Sequence, residues 1–245
     1  MLQGVIFDLD GVLVDSHPVH LRAWKALFAS LNRHFSESEL QFIVEGHKRE
    51  EILRHFLGHL SEEQIREYGA YKEALVQASA QEIKAVRGVP EFLSEIQRAG
   101  LPMGVASSAG RMRVESTLER LHLKPYFSAV MTGSDVAKGK PDPAIFCRTA
   151  EAMGLGPSGI LVCEDAVSGV QAAKSAEMMC LGIAAPERAL LLHQAGADRI
   201  VLDFSELRLD DLRGLFLQMR VAKEGSRGDI SHGPGCPPPF AGREV

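Results

Sequence analysis

Two carboxylates follow a short apolar segment near the start of the chain. Gly4 to Phe7 has the composition of a buried strand, and Asp8 and Asp10 come directly after it, before Gly11. Charged groups at the end of a buried strand cost free energy unless a cation or hydrogen bonds compensate them. The pair alone could be a solvated loop or a helix cap, and only together with the polar groups below does it indicate a reactive or metal-binding site, in which Gly11 would allow a sharp turn without a side chain that would block Asp8.

Other polar side chains follow apolar segments further along the chain. Ser107 and Ser108 end a second predicted strand, Lys140 lies in the loop after a third, and Glu164 and Asp165 end a fourth. In a doubly wound parallel sheet, ligands bind beyond the carboxyl ends of the strands. We therefore expect these side chains to lie at the same edge of the sheet as the two N-terminal aspartates.

The balance of charge in this group predicts a metal ion. The four carboxylates carry four negative charges when ionised, whereas Lys140 returns a single positive charge. Like charges about 4 Å apart repel by roughly 4 kcal/mol at an effective dielectric near 20. A set of oxygen ligands suits Mg²⁺, which keeps several waters and often takes a substrate phosphate as partner. The group thus favours Mg²⁺ together with a phosphorylated small molecule.

Short apolar segments alternate with helical patterns over most of the chain. This alternation is typical of an α/β fold, here a doubly wound parallel sheet with a Rossmann-like core. The predicted strands are 4–7, 101–107, 127–131, 159–163, 180–183 and 199–202. The predicted helices are 18–31, one between Gly88 and Gly100, 111–121, one from Pro143, 168–176, and a last one along which Leu209, Leu212, Phe216 and Met219 share a face.

A helix-rich block interrupts the alternation after the first strand. Residues 16–86 are therefore predicted to form an inserted small α-helical cap domain, with hinges after Asp10 and near residue 86. The catalytic α/β core is predicted to comprise residues 1–15 and 87–222. Residues 223–245 are rich in glycine and proline, a composition that cannot offset ordering entropy, so a flexible tail is expected there.

Composition excludes several classes of protein. The net charge of −5 without a long basic segment argues against a nucleic-acid partner. No stretch approaches the roughly 20 apolar residues that span a bilayer, so no membrane partner is expected. The N-terminus lacks a basic region and does not resemble a signal peptide. The four cysteines form no C-x-x-C pair, which favours a reduced, cytoplasmic setting.

The spaced polar residues resemble the motifs of a known superfamily. The segments DLDGV (Asp8 to Val12), Ser107 after an apolar strand, Lys140 in GKPDP, and Glu164-Asp165 in CEDAVSGVQAA are similar to the four motifs of the haloacid dehalogenase superfamily of phosphotransferases. The match covers the predicted core in the right order. The insertion resembles the helical cap of the β-phosphoglucomutase-like subgroup, through HLRAWKAL (His20 to Leu27) and GHKRE (Gly46 to Glu50).

The resemblance implies roles for the two N-terminal aspartates. Asp8 would be the nucleophile that attacks phosphorus to give an aspartyl phosphate. Asp10 would protonate the leaving oxygen and then take a proton from the incoming water or hydroxyl. Neighbouring negative charges are expected to help Asp10 hold its proton.

The resemblance also implies a metal shell and a phosphate grip. Mg²⁺ would be held by Asp8, the carbonyl of Asp10 and Asp165, with Glu164 in or beside the shell. Ser107 and Lys140 would bind phosphate oxygens as charge develops on them.

Substrate contacts are predicted from the cap matches and from the loop after the second strand. The candidates are His20, Trp24, Gly46, Arg49, Ser108 and Arg111. Arg49 is the leading candidate for binding a substrate phosphate, because it lies in a G-x-x-R stretch. Trp24 could instead belong to the core of the cap, and Arg111 could instead face solvent.

The favoured function is a Mg²⁺-dependent phosphatase that acts on a small phosphorylated metabolite such as a sugar phosphate, as a monomer or weak dimer. The alternative is a β-phosphoglucomutase-type phosphomutase. Two departures weaken that alternative: Ala109-Gly110-Arg111 replaces a Ser-Lys-Asn-type phosphate grip, and Lys72 is displaced by about one helical turn from the late cap lysine of the family. A third possibility is a non-catalytic protein that binds a phosphometabolite, against which the intact Asp8 and Asp10 argue.

Overall fold

The computed structural model describes residues 1–45 and 47–225. Gly46 and residues 226–245 lie outside the described residues, so most of the predicted tail does as well. Residues 223–225 end the last helix.

The core is a six-stranded parallel sheet, as predicted. Its strand order is β5-β4-β1-β6-β7-β8. The strands, with a two-stranded antiparallel pair formed by β2 and β3, are β1 (Gly4–Phe7), β2 (Val14–Asp15), β3 (Lys84–Ala85), β4 (Met103–Ser107), β5 (Ala129–Thr132), β6 (Ile160–Glu164), β7 (Met179–Ile183) and β8 (Arg199–Val201). The strand order reverses beside β1, and the crevice at such a reversal is where α/β sheets bind ligands.

Helices cover both faces of the sheet, whereas the first three helices of the chain lie in the segment between β2 and β3. The helices are α1 (His17–Ser30), α2 (Arg49–Leu57), α3 (Glu62–Ala78), α4 (Val89–Arg98), α5 (Arg111–Arg120), α6 (Ala144–Ala152), α7 (Val167–Ser175), α8 (Pro186–Gln194) and α9 (Leu209–Gly225). Most predicted elements agree with these bounds to within one or two residues. None of the helices in the described part of the chain is long and apolar enough to cross a membrane.

Alternate residues of β1 pack on opposite faces of the sheet. Val5 and Phe7 lie in the larger apolar cluster, with residues of α4, α5 and α9. Ile6 lies in a second cluster with residues of α6 and α7. Because β1 is buried on both sides, its carboxyl end is held rigidly, and Asp8 with it.

The segment between β2 and β3 is helical and has an apolar cluster of its own. This cluster includes Trp24 and Phe28, whose rings stack with centroids 5.6 Å apart. Val19 and Ala23 of α1 belong instead to the larger cluster of the core. The β2–β3 pair, which the sequence did not predict, joins the two chain connections between this cap and the core. The division at residues 16 and 86 stays a proposal.

Candidate active site

Asp8 lies at the carboxyl end of β1, in the crevice where the strand order reverses. Its backbone N–H donates to the carbonyl of Cys163 in β6 at 3.0 Å, which continues the sheet by one residue. The residue is only 7% exposed. One oxygen, Oδ1, accepts a hydrogen bond from Nζ of Lys140 at 2.5 Å.

Lys140 connects three elements of the core. Besides Asp8, its ammonium donates to Oε1 of Glu164 at 2.5 Å and to the carbonyl of Ala106 at 3.1 Å. Burial opposes its charge, but the two carboxylates outweigh burial and raise the pKa of Lys140. The lysine is therefore charged, and its Nζ lies beside the oxygen expected to attack phosphorus.

Both carboxylate oxygens of Glu164 accept hydrogen bonds from other groups of the protein. While Oε1 accepts from Lys140, Oε2 accepts from the backbone N–H groups of Asp165 and Ala166 at 2.8 and 2.9 Å. A Cβ at Gly169 in α7 would lie 1.9 Å from Oε1, so only glycine lets the helix approach this closely. The side chain, 1% exposed, orients Lys140 and the start of α7.

Asp165 lies against the loop that follows Asp10. A Cβ at Gly11, whose φ is +77°, would lie 2.3 Å from Oδ2 of Asp165. Nε2 of His17 is 3.2 Å from the same oxygen, and Arg188 approaches to 3.7 Å. Gly11 thus lets the turn after β1 and the end of β6 come together.

The carboxylates of Asp8 and Asp165 are short of positive charge. Burial raises the pKa of Asp8, and Lys140 offsets this only in part, because the other carboxylates of the site raise it further. Burial, followed by the charge of Glu164, likewise raises the pKa of Asp165. Asp8, Glu164 and Asp165 would carry three negative charges, against Lys140, which bonds the first two, and Arg188, 3.7 Å from Asp165, so one negative charge is left over.

Asp10 is in a different electrostatic environment. Arg113 of α5 donates to both of its oxygens, from Nη1 at 2.8 Å and from Nη2 at 2.7 Å. Ser16 donates to Oδ1 at 2.6 Å, and Nε2 of His20 is 3.4 Å from the same atom. Burial opposes ionisation, but Arg113 and His20 outweigh it and hold the pKa of Asp10 well below its usual value. The expectation that neighbouring carboxylates help Asp10 hold a proton is therefore wrong for this arrangement, because Arg113 is closer.

His20, Trp24 and Lys72, three cap residues named in the sequence analysis, form one cluster next to Asp10. Lys72 of α3 donates from Nζ to Nδ1 of His20 at 2.6 Å, which leaves Nε2–H of His20 to face Asp10. The same Nζ lies 5.5 Å from the ring centroid of Trp24. Burial, then the charge of Arg113, lowers the pKa of Lys72 to about 8. Trp24 is buried in the apolar cluster of the cap, and its ring supports this lysine.

The serines after β4 differ in exposure. Ser107 is buried at the strand end, and its Oγ accepts from the backbone N–H of Ala109 at 3.1 Å. Ser108 is exposed. Arg111 is exposed as well, and its guanidinium binds both oxygens of Asp135 and one of Glu115.

Arg49 begins α2 and is exposed, and its charge is among those that lower the pKa of Lys72. A Cβ at Gly69 in α3 would lie 2.8 Å from its Nε, so the arginine packs across that glycine. The neighbouring Lys48 reaches the core, where its Cε would lie 2.7 Å from a Cβ at Gly139. Gly46 lies outside the described residues. The roles predicted for Ser108, Arg111, Arg49 and Gly46 in substrate binding remain untested.

Comparison with known proteins identifies the family. The sequence profile of the haloacid dehalogenase-like hydrolase family matches residues 5–183. The chain belongs to this family. A validoxylamine A 7'-phosphate phosphatase of Streptomyces hygroscopicus subsp. limoneus is 33% identical over 211 residues, which cover 85% of this chain and 97% of that protein. A beta-phosphoglucomutase of Bacillus subtilis (strain 168) is 29% identical over 231 residues, 90% of this chain and 98% of that protein.

The fold agrees with this membership. The crystal structure of a beta-phosphoglucomutase from Clostridium difficile superposes with a TM-score of 0.80 at 23% identity, and covers 90% of this chain and 100% of that one. The predicted superfamily, the β-phosphoglucomutase-like subgroup and the fold class of this haloacid dehalogenase-like hydrolase are confirmed.

The residues of this haloacid dehalogenase-like hydrolase fit a magnesium ion. Within residues 1–45 and 47–225, no three His, Cys, Asp or Glu side chains are grouped as metal ligands. Mg²⁺ does not need such a group, because it commonly takes one or two carboxylates, several waters and a substrate phosphate. Asp8 and Asp165 supply two buried carboxylates whose pKa values are raised first by burial and then by the neighbouring carboxylates. A divalent cation would offset the remaining negative charge.

Sequence reasoning missed Arg113, Ser16 and His17. Arg113 and Ser16 contact Asp10, and His17 contacts Asp165, but none of the three belongs to the four motifs quoted in the sequence analysis. The helix predicted over residues 111–121 could have indicated that Arg113 is a site candidate. Arg111 and Arg113, two residues apart on one helix, must point in different directions, so only one could face the crevice.

Proposed function

We propose that this chain is a Mg²⁺-dependent phosphatase that hydrolyses a small phosphorylated metabolite, with sugar phosphates as the favoured class. The observation that carries the proposal is the buried Asp8, hydrogen-bonded to Lys140, beside the buried carboxylates of Glu164 and Asp165, whose negative charge the nearby cations offset only in part. Membership of a hydrolase family and the similarity to a phosphatase support a phosphoric monoester hydrolase.

In the first half-reaction, an oxygen of Asp8 attacks phosphorus while the bond from phosphorus to the leaving oxygen breaks. The product is an aspartyl phosphate. Lys140, already within 2.5 Å of Asp8, would bind a phosphoryl oxygen as charge develops there, and Ser107 at the neighbouring strand end would donate to another. Mg²⁺, held by Asp8, Asp165 and the carbonyl of Asp10, would polarise the phosphoryl group and neutralise its charge.

Asp10 would manage the protons of both half-reactions. Because Arg113 and His20 hold Asp10 ionised in the free protein, it would give a proton to the leaving oxygen in the first step only after taking one up from solvent or from the substrate phosphate. In the second step it accepts a proton from water, whose oxygen attacks phosphorus and releases phosphate from Asp8. The ionised form held by Arg113 and Ser16 is the form required for the second step.

The substrate class rests on the cap and on the relatives. The cap approaches the core through Lys48 at Gly139 and through His20 at Asp10, so the space above Asp8 suits a small molecule. One relative is named for a validoxylamine 7'-phosphate and another for phosphoglucose, both of which are carbohydrate-like phosphates. A cytoplasmic location and a monomeric or weakly dimeric state are kept as parts of this proposal.

A phosphomutase is the second candidate. The contact between Lys72 and His20 favours it, because the lysine does reach the crevice despite its displaced position in the sequence. The pairing of Arg111 with Asp135 and Glu115 weighs against it, since a mutase needs further cations for a second phosphate. A binding protein without turnover is a third candidate.

One assay separates the three candidates. Phosphate release is measured over a panel of sugar phosphates and other phosphorylated metabolites, with Mg²⁺ and with EDTA. Formation of glucose 6-phosphate from β-glucose 1-phosphate is followed in parallel. Metal-dependent release supports the phosphatase, and isomerisation without release supports the mutase. Binding without turnover, or release unaffected by EDTA, would overturn the proposal.

A further inference from the structure

Asp165 is contacted by two basic side chains that lie outside the four motifs. Nε2 of His17, the first residue of α1, lies 3.2 Å from Oδ2 of Asp165, and Nη1 of Arg188 lies 3.7 Å from the same oxygen. The turn at Gly11 approaches this oxygen too, because a Cβ there would lie 2.3 Å from it. Oδ1 takes no part in these contacts. A metal ion that binds Asp165 is therefore expected to take Oδ1, with both basic side chains at the opposite oxygen.

Arg188 lies where its charge is unfavourable for its own helix. It is in the first turn of α8, which begins at Pro186. The positive end of the helix dipole is at this terminus, so a cation is disfavoured there. Burial and then Glu164 raise the pKa of Asp165, and among the cations that lower it, Arg188 outweighs Lys140. Arg188 is thus the main counter-charge that the chain itself supplies to Asp165.

We propose that Arg188 sets the metal affinity of the site, because it compensates Asp165 before Mg²⁺ binds and opposes Mg²⁺ once the ion is bound. This inference rests on the Mg²⁺ site of the proposed function. Both effects have one cause. A counter-charge stabilises an ionised carboxylate, but it repels the divalent ion that the same carboxylate attracts. The site then binds Mg²⁺ more weakly than its carboxylates alone would.

The change in affinity can be estimated from charge and distance. A metal lies about 2 Å from the oxygen that it binds, so an ion on Asp165 would be roughly 6–8 Å from the guanidinium of Arg188. At that separation a unit charge weakens the binding of a divalent ion by about 5–10-fold, even at the dielectric of water and low ionic strength. Arg188→Gln is therefore expected to lower the Kd for Mg²⁺ by about 5–10-fold. Arg188→Lys keeps the charge and should stay within about twofold of the wild type.

Isothermal titration calorimetry with MgCl₂ alone measures this Kd without any turnover. It is carried out at low ionic strength and slightly alkaline pH, where protons compete least with the metal. Arg199→Gln is the matched control. Arg199 pairs with Asp211 at 3.9 Å, is 40% exposed and begins β8, at the end of the sheet away from the site. This variant removes the same charge and should leave the Kd within about twofold of the wild type.

Salt and temperature give two further readouts. Added salt should reduce the difference in Kd between Arg188→Gln and the wild type, because ions screen a charge effect. In EDTA, Arg188→Gln should have a lower Tm than the wild type, because Asp165 loses its counter-charge. The gap in Tm should narrow as Mg²⁺ is added, since tighter binding stabilises the folded variant more. An arginine with a purely structural role would leave the same gap at every Mg²⁺ concentration.

The possible failures are distinguishable. If the wild type does not bind Mg²⁺, the metal site of the proposed function fails and this inference fails with it. If the wild type binds Mg²⁺ but releases no phosphate, only the proposed phosphatase activity fails, and the Kd values still decide the role of Arg188. An unchanged or higher Kd in Arg188→Gln, or an equal decrease in Arg199→Gln, overturns the inference. A decrease confined to Arg188→Gln supports it.

Discussion

Replacement of Lys140 by methionine tests the electrostatic basis of the site. Lys140 is 6% exposed and donates to Asp8, Glu164 and the carbonyl of Ala106. Methionine has a similar length and no charge, so Lys140→Met removes the cation and leaves the volume nearly unchanged. Two buried carboxylates then face each other without their shared partner.

The expected loss of stability in Lys140→Met follows from the two short contacts of Lys140 with Asp8 and Glu164. A unit charge pair at 2.5 Å is worth about 7 kcal/mol at an effective dielectric near 20. The free energy of unfolding lost in Lys140→Met is smaller than the sum of two such charge-pair energies, because burial of the ammonium itself costs several kcal/mol. Removal of one partner from a buried ion pair typically costs about 3–5 kcal/mol. For a chain of this length, that lowers Tm by about 10 °C.

The assay is urea unfolding in EDTA at neutral pH, together with a thermal melt. Lys174→Met is the matched control: Lys174 pairs with Asp198 at 2.7 Å, but its side chain is 34% exposed. Its loss should cost about 1 kcal/mol. The double variant Lys140→Met with Glu164→Gln should recover part of the stability, because one uncompensated charge is removed. If Lys140→Met costs no more than Lys174→Met, the reasoning about the buried carboxylates is refuted.

Three further predictions concern the metal site and the cap. In EDTA, the wild type should lose stability relative to Asp165→Asn as pH rises above about 4, the ordinary pKa of an aspartate in the unfolded chain, because burial raises the pKa of Asp165 in the folded state and its ionisation is then costly only there; Mg²⁺ should reverse the difference at neutral pH. Urea midpoints that show no such pH dependence would contradict this. Gly11→Ala should weaken Mg²⁺ activation and cost about 1–2 kcal/mol, because its φ is +77° and the new Cβ would collide with Asp165; an unchanged Mg²⁺ titration would count against the site. Arg49→Ala should raise KM for a sugar phosphate more than for an aryl phosphate, and an equal effect on both would remove Arg49 from the substrate contacts.

The fold and the centre of the site could be predicted because local signals determine them. Short segments of three to five mainly apolar residues mark the core strands, and Asp8, Ser107, Glu164 and Asp165 lie at or directly after strand ends. Asp8 and Glu164 end on adjacent strands, since β1 pairs with β6 along its whole length. Their proximity therefore follows from the topology. Lys140 comes from a loop, and the resemblance to known motifs was needed to select it.

The contacts between cap and core could not be read from the sequence, because they depend on how two units pack. Lys72 appeared one turn out of place, yet it reaches His20. Arg113 had no motif to mark it, and its pairing with Asp10 reverses the expected direction of the Asp10 pKa. The β2–β3 pair, only two residues long on each side, forms because the two connections of the cap run next to each other.

The central claim is that Asp8 takes the phosphoryl group from the substrate. In the most direct test, the protein is mixed with Mg²⁺ and a sugar phosphate that it hydrolyses, and the reaction is quenched in acid within milliseconds. The peptides of the quenched protein are then mapped by mass spectrometry. The account predicts that the mass of one phosphoryl group appears on Asp8 and is absent from Asp8→Asn, which remains folded but inactive. Continued turnover by Asp8→Asn, or a phosphoryl group found on another residue, would contradict it.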